Sequence, residues 1–132
     1  MVNLSSNALC LCGSGKVYAE CCEPFHLKQR FPETAEQLMR SRYVAYALQL
    51  KSYLLETWAE TSRPAEIEFE NGLSSQILQI HGTKKGRKRD AQGWVTFTAT
   101  YQVGFDRESL TEKSSFIRDQ QRHWVYLDGK FS

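Results

Sequence analysis

From residue 38 to residue 58 the apolar side chains Leu38, Met39, Tyr43, Tyr46, Ala47, Leu50, Leu54 and Trp58 recur mostly at steps of three and four. That period predicts helices with one side packed on a core. Pro32 and Thr34 mark the entry, because Thr34 and Gln37 have the spacing of a capping box. One helix over residues 34 to 60 would be long for a small domain, so a break is expected near Gln49 to Ser52, with Ser52 capping a second helix. Ser62-Arg63-Pro64 predicts a short third helix or a turn, with Pro64 in its first turn.

After Gly72 the period changes. Gln76 to His81, Gly93 to Val103, Leu110 to Arg118 and His123 to Leu127 are rich in β-branched and aromatic residues and predict four strands. In the second, Val95, Phe97, Ala99, Tyr101 and Val103 alternate with Thr96, Thr98 and Thr100, as in a sheet with one buried face. Gly104-Phe105-Asp106 and Asp119-Gln120-Gln121 are short enough to close antiparallel hairpins. Helices first and strands afterwards predict an α+β domain over residues 30–132, with the helices on one face of the sheet.

A chain of 132 residues suits one ordinary domain, and 41% hydrophobic with 24% charged residues are globular values. A net charge of +2 does not by itself demand a polyanionic partner. No stretch approaches the ~18 consecutive apolar residues of a membrane span. The start, MVNLSSNALC, has neither a basic n-region nor an apolar h-region, so a reducing, cytoplasmic setting is expected. There, cysteines serve more often as ligands than in disulfides.

All four cysteines fall in CLCGSGKVYAECC, residues 10–22. Any bridge among Cys10, Cys12, Cys21 and Cys22 would close a tiny loop, and one between Cys21 and Cys22 would be strained. Two pairs separated by eight residues suit instead a tetrahedral zinc ion with Zn–S distances of about 2.3 Å. Gly13 and Gly15 can take positive φ and turn the chain after Cys12, aiming N–H groups at sulfur. Lys16 beside a dianionic centre is electrostatically favourable, and such a centre brings the whole chain to a net charge of about zero. The GSGK inside the stretch is not a phosphate loop: no glycine stands at the required distance upstream, Val17 replaces the magnesium-binding hydroxyl, and no strand precedes it. His26 is an alternative ligand or an exposed loop histidine.

The same stretch resembles the SEC-C motif, C-x-C-x-SG-x(5)-CC or CH, found at the C-terminus of the protein-export motor SecA. The resemblance implies that Cys10, Cys12, Cys21 and Cys22 bind zinc, with Ser14-Gly15 as the motif's SG and Leu11 in place of its usual proline. Together with LMRSRYVAYAL, YLLETW, EKSSFIR and WVYLDG, the chain is similar to the YchJ-like family of small bacterial SEC-C proteins. That resemblance implies a SEC-C motif over residues 1–29, followed over residues 30–132 by a nuclear-transport-factor-two-like domain, a cone of helices wrapped by a curved sheet. Many members carry a second SEC-C motif at the C-terminus, whereas residues 128–132 contain no cysteine. Lys113 and Ser115 stand where the family's E-R-S-R-F has arginines, and no activity comes with the family.

Three functional expectations follow. The first is a non-enzymatic adaptor whose structural zinc knuckle presents Lys16, Val17, Tyr18 and Glu20 to a protein or ribonucleoprotein partner. SecA uses the motif for contacts with a chaperone and other partners, an argument by analogy. The second is a small-molecule binder or enzyme with Glu112 as acid or base in the cone, beside Ser114 and Phe116. Its structural counterpart is a buried ion pair of Glu112 with Arg40 or Arg42. The aromatic set of Tyr43, Tyr46, Tyr53, Trp58, Trp94, Trp124 and Tyr126 either fills the core or lines the cone. The third is an RNA or ribosome contact through the basic run Lys84-Lys85-Gly86-Arg87-Lys88-Arg89. Against it stand a solvated hairpin tip and the lack of any interleaved aromatic. His81 and His123, at strand ends, are ordinary.

Overall fold

The computed structural model describes residues 4–69 and 73–131. A short 3₁₀ turn, Tyr18–Glu20, precedes helices α1 (Glu23–His26), α2 (Ala35–Leu48) and α3 (Lys51–Glu56), then strands β1 (Leu73–Lys85), β2 (Gln92–Val103), β3 (Asp106–Arg118) and β4 (Trp124–Phe131). The strands form one antiparallel sheet in the order β1-β2-β3-β4. Register shifts at Ser75/Ile77 and Ile80/Gly82 in β1, and at Leu127 of β4 opposite Ser115/Phe116, bend it around the helices. This is the α+β cone with a curved four-stranded sheet expected from the order of elements and the family resemblance.

Local chemistry accounts for the helix boundaries. The Thr34 hydroxyl accepts the Gln37 N–H at 3.1 Å, and the Gln37 side chain accepts the Glu33 N–H at 2.8 Å. Helix α2 ends where Gln49 turns left-handed at φ 57°, inside the expected break. Ser52 does not cap α3. The cap position is Leu50, with no side-chain cap bond, and the Leu50 N–H is taken by the Ala45 carbonyl at 2.8 Å. Ser62-Arg63-Pro64 forms turn and irregular backbone rather than a third helix. Arg63 fastens it by donating to the Trp58 carbonyl at 2.8 Å through Nη2.

The buried face of β2 carries Val95, Phe97 and Ala99, as the alternation predicts. Gly72 and the side chain of Val103 lie outside the described residues. Against that face pack Leu38, Met39, Tyr43, Val44 and Leu48 of α2, with Phe116 and Trp124. Strand β1 is longer than expected and takes in Lys84 and Lys85, and the Gly104-Phe105 link is a two-residue hairpin turn. The exit of α3 adds to the sheet: Ala59 N–H donates to the Tyr126 carbonyl and Tyr126 N–H to the Thr57 carbonyl, both at 2.8 Å.

The start of α2 meets the β1–β2 hairpin where only glycine fits. The Ala35 N–H donates to the Gly86 carbonyl at 2.9 Å, and Gly86 has φ +75°. A Cβ on Gly93 would collide with the Gly86 backbone and lie 3.0 Å from the Ala35 Cβ. These neighbours are backbone or short side chains and cannot swing aside. Gly93→Ala is therefore expected to destabilise the fold by about 1–3 kcal/mol, the usual cost of overpacking. Gly82→Ala, with open space around its Cβ position, is the matched control. Denaturant unfolding of the two variants checks this.

Candidate metal centre

The cysteines sit in a small hairpin built by residues 5–22. Leu9 and Val17 form an antiparallel bridge, with Cys10 N–H donating to the Lys16 carbonyl and Tyr18 N–H to the Ala8 carbonyl, each at 2.8 Å. Gly13 and Gly15 take φ of 80° and 88°, as the turn requires. The Ser14 hydroxyl lies 3.1 Å from the Cys21 Sγ and accepts the Lys16 N–H at 3.2 Å. The loop thereby folds Cys21-Cys22 back over Cys10 and Cys12.

All four Sγ atoms lie within 4.8 Å of one another. The Cys12–Cys21 separation is 3.5 Å and the Cys21–Cys22 separation 3.9 Å. A tetrahedron with metal–sulfur bonds of about 2.3 Å has sulfur–sulfur edges of about 3.8 Å. The donor set therefore has the size and the chemistry to hold one metal ion. Cys10, Cys12 and Cys22 are buried and Cys21 is partly exposed.

The sulfurs also share protons. Cys10 is pushed up to about 12, chiefly by its hydrogen bond to Cys12. The same bond, with another from Cys22, holds Cys12 far below the thiol range. Cys22 is raised by its bonds to Cys10 and Cys12 and by burial. One anionic sulfur is thus solvated by neighbouring S–H donors, an arrangement that a cation replaces.

The knuckle packs firmly on the cone. Cys10, Cys12, Tyr18 and Cys22 belong to the same buried cluster as Leu38, Met39 and Val95. Arg40 of α2 donates through Nη1 to the Cys12 carbonyl at 2.7 Å while its Nε pairs with Glu36 at 3.0 Å. Burial pulls the Arg40 pKa down, but Glu36 and Cys12 outweigh it and the net shift is upward. A cation thus stands beside the sulfur cluster, from a residue that sequence reasoning had aimed at Glu112. No spacing signal in the sequence links position 40 to position 12.

His26 is neither a fourth-ligand candidate by position nor an exposed loop residue. It lies partly buried in α1, with Nε2 at 2.8 Å from the Ser41 carbonyl and Nδ1 at 2.6 Å from the Tyr18 hydroxyl. The carbonyl can only accept, so Nε2 carries the proton and Nδ1 accepts from Tyr18. Burial lowers the His26 pKa, favouring this neutral form. Tyr18 is correspondingly interior, at 5% exposure, and does not belong to the knuckle's outer surface. Lys16 and Glu20 are exposed, and Val17 is half-buried.

Glu112 is buried, as expected, but among the described residues no arginine lies within ion-pair distance of it. Its Oε2 accepts from the Ser114 hydroxyl and from the Tyr126 hydroxyl, the latter at 3.2 Å, and its carboxylate lies against the Cα of Gly129. Arg42 is 5% exposed and donates to the Leu54 carbonyl and the Thr57 hydroxyl, both at 2.8 Å. Its guanidinium lies 4.9 Å from the Trp58 ring centre and 4.8 Å from that of Tyr126. Cation and carboxylate meet the same tyrosine instead of each other, which is the physical correction to the expected ion pair. His81 bonds Thr98 on the sheet at 2.6 Å, and His123 stacks on Phe31.

The comparisons fit this architecture. The family description "YchJ, middle NTF2-like domain" matches residues 34–129, and the SEC-C motif matches residues 7–24. The chain belongs to the YchJ-like family of SEC-C motif proteins. It is 42% identical over 124 residues to a UPF0225 protein of Streptomyces avermitilis, covering 94% of this chain and 85% of the relative. A UPF0225 protein of Deinococcus radiodurans is 41% identical over 121 residues, covering 90% and 86%. The solution structure of a SEC-C motif containing protein from Rhodopseudomonas palustris superposes with a TM-score of 0.80 at 31% identity, covering 92% of this chain and 96% of that one. A SEC-C protein from Psychrobacter arcticus shares the fold, with a TM-score of 0.76 at 21% identity over 96% and 84% of the two chains. Among the described residues, no helix is long and apolar enough to cross a membrane.

Filling the four-sulfur site with a divalent metal at pH 7 is expected to displace thiol protons, among them those on Cys10 and Cys22, whose affinities for them are raised. Apparent metal affinity should fall as pH falls, by about tenfold per unit for each proton displaced. Calorimetric titration of the reduced metal-free protein in buffers of different ionisation enthalpy counts these protons.

Proposed function

We propose that Cys10, Cys12, Cys21 and Cys22 bind one structural Zn²⁺, and that the protein is a non-enzymatic interaction protein of the reducing cytoplasm. The sulfur separations carry this reading, since 3.5 and 3.9 Å bracket the edge of a zinc tetrathiolate. Four thiolates complete a tetrahedron and leave no position for a catalytic water. The knuckle has too small a core to hold itself together, so metal binding supplies part of its folding free energy. The Arg40 cation beside Cys12 supports the same reading by offsetting the negative centre.

Tyr18, expected on the docking surface, is instead buried and spent on His26. What faces outward is Leu9, 65% exposed, with Lys16 and Glu20 on the hairpin. An exposed apolar residue on a hairpin that also carries charges of both signs suits a protein partner or the protein part of a ribonucleoprotein.

Elemental analysis of reduced protein should find one zinc per chain, and none in Cys12→Ser. Chelation should lower stability by about 4 kcal/mol relative to free zinc at a thousand times Kd. The double variant Leu9→Asp, Lys16→Glu should keep its zinc and lose partner capture from bacterial lysate. Partners retained by both this variant and the chelated protein would belong to the cone and would refute the knuckle's role in docking.

A further inference from the structure

Three segments distant in sequence meet at one end of the sheet. Arg118, the last residue of β3, ties them together. Its Nη2 donates to the Lys88 carbonyl at 2.7 Å, its Nε to the Asp90 carbonyl at 3.0 Å, and its Nη1 to the Arg122 carbonyl at 3.1 Å. Its guanidinium lies 3.9 Å from the Trp124 ring centre, and the Trp124 Nε1 donates to the Glu33 carbonyl at 3.0 Å. The β1–β2 tip, the β3–β4 turn and the approach to α2 thus form one surface.

That surface is cationic. The tip's carbonyls face Arg118, and its side chains are exposed, Arg87 at 88% and Lys88 at 76%. Lys84, Lys85, Arg89 and Arg122 are exposed alongside. Three acids stand near these cations. Asp90 accepts the Arg87 N–H at 2.9 Å and lies 3.9 Å from the Arg87 Nε, Glu33 lies 3.6 Å from the Lys88 Nζ, and Asp119 accepts the N–H groups of Gln121 and His123 at 2.9 Å, so the cations remain in excess.

An aromatic platform stands on the same surface, although none interleaves the basic run in sequence. Phe31 stacks on His123 with ring centres 3.9 Å apart and planes 10° from parallel, and it remains 51% exposed. One face of Phe31 is covered by the imidazole, leaving the other for a ligand ring. Two open clefts flank Arg118. One of about 370 Å³ is lined by Lys85, Gln92 and Ile117, and one of about 530 Å³ by Arg63, Gln121 and Val125.

We propose that this end of the sheet binds single-stranded nucleic acid, with the tip cations and Arg122 on phosphates and a base stacked on Phe31. Cations alone would serve any polyanion. A ring with a free face beside them favours a strand whose bases are unpaired, because only unpaired bases present a face for stacking. None of these residues belongs to the knuckle, and the proposal does not depend on the metal reading.

The test is fluorescence anisotropy of the zinc-loaded full chain with labelled ten-nucleotide poly(U) and poly(dT), over salt from about 50 to 200 mM. Binding that weakens with salt and exceeds binding to a duplex of equal length is expected. A preference between the two strands identifies RNA or DNA as the source. Arg87→Ala, Lys88→Ala, Arg89→Ala together should make the log–log salt slope shallower by about 2. Phe31→Ala should cost about tenfold in affinity with the slope unchanged. Circular dichroism verifies folding, and should the triple variant unfold, Arg89→Glu alone must weaken binding. Equal affinity for duplex, equal displacement by poly-glutamate, an unaffected Phe31→Ala variant, or no binding at micromolar protein in about 50 mM salt would each overturn the proposal.

Discussion

Four sulfur atoms converging on one point within an apolar cluster is the constraint from which the rest of the molecule follows. Anionic sulfur buried beside Leu38, Met39 and Val95 is costly unless a cation neutralises it. In the proposed zinc form the metal supplies most of that charge and Arg40, on the Cys12 carbonyl, supplies more. The N-terminal hairpin is thereby part of the domain's interior. The Tyr18–His26–Ser41 chain of hydrogen bonds fixes α1 and the knuckle against α2, and Ser41 in turn bonds the Tyr53 hydroxyl of α3 at 2.7 Å. A disturbance at the sulfurs has a short polar route into the helices.

The cone's interior solves a second electrostatic problem differently. Arg42 and Glu112 are both buried, yet each is satisfied locally. The guanidinium takes a helix-end carbonyl, a threonine hydroxyl and two aromatic faces, while the carboxylate takes two hydroxyls. Tyr126 serves both and also carries the backbone bridge to the end of α3. Tyr126 of β4 is therefore one of the points at which the helix layer and the sheet are joined. Glu112 in this arrangement is an organiser of strands β3 and β4, held where Gly129 lacks a side chain.

Much of this was legible because local rules were obeyed. The Thr34 cap, the break at Gln49, the alternation through Val95, Phe97 and Ala99, and the clustering of Cys10, Cys12, Cys21 and Cys22 all follow from short-range pattern. What escaped was set by tertiary contact. Ser52 resembled a cap, but the chain turned two residues earlier, where Leu50 caps without any side-chain bond. Arg40 and Arg42 have the same local sequence appearance, and only the helix's rotation sends one to the knuckle and the other to the aromatic interior. Tyr18 and His26 read as surface residues until α1 brought them together over Ser41. The Phe31–His123 stack joins positions 92 residues apart and carries no sequence signal at all.

X-ray absorption at the metal edge of the reduced, metal-loaded protein addresses the central claim most directly, because it counts the scatterers around the ion. The account requires four sulfur neighbours at about 2.3 Å and no nitrogen or oxygen in the first shell. A shell with fewer than four sulfurs, an imidazole contribution, or no bound metal in protein whose thiols are intact would contradict it.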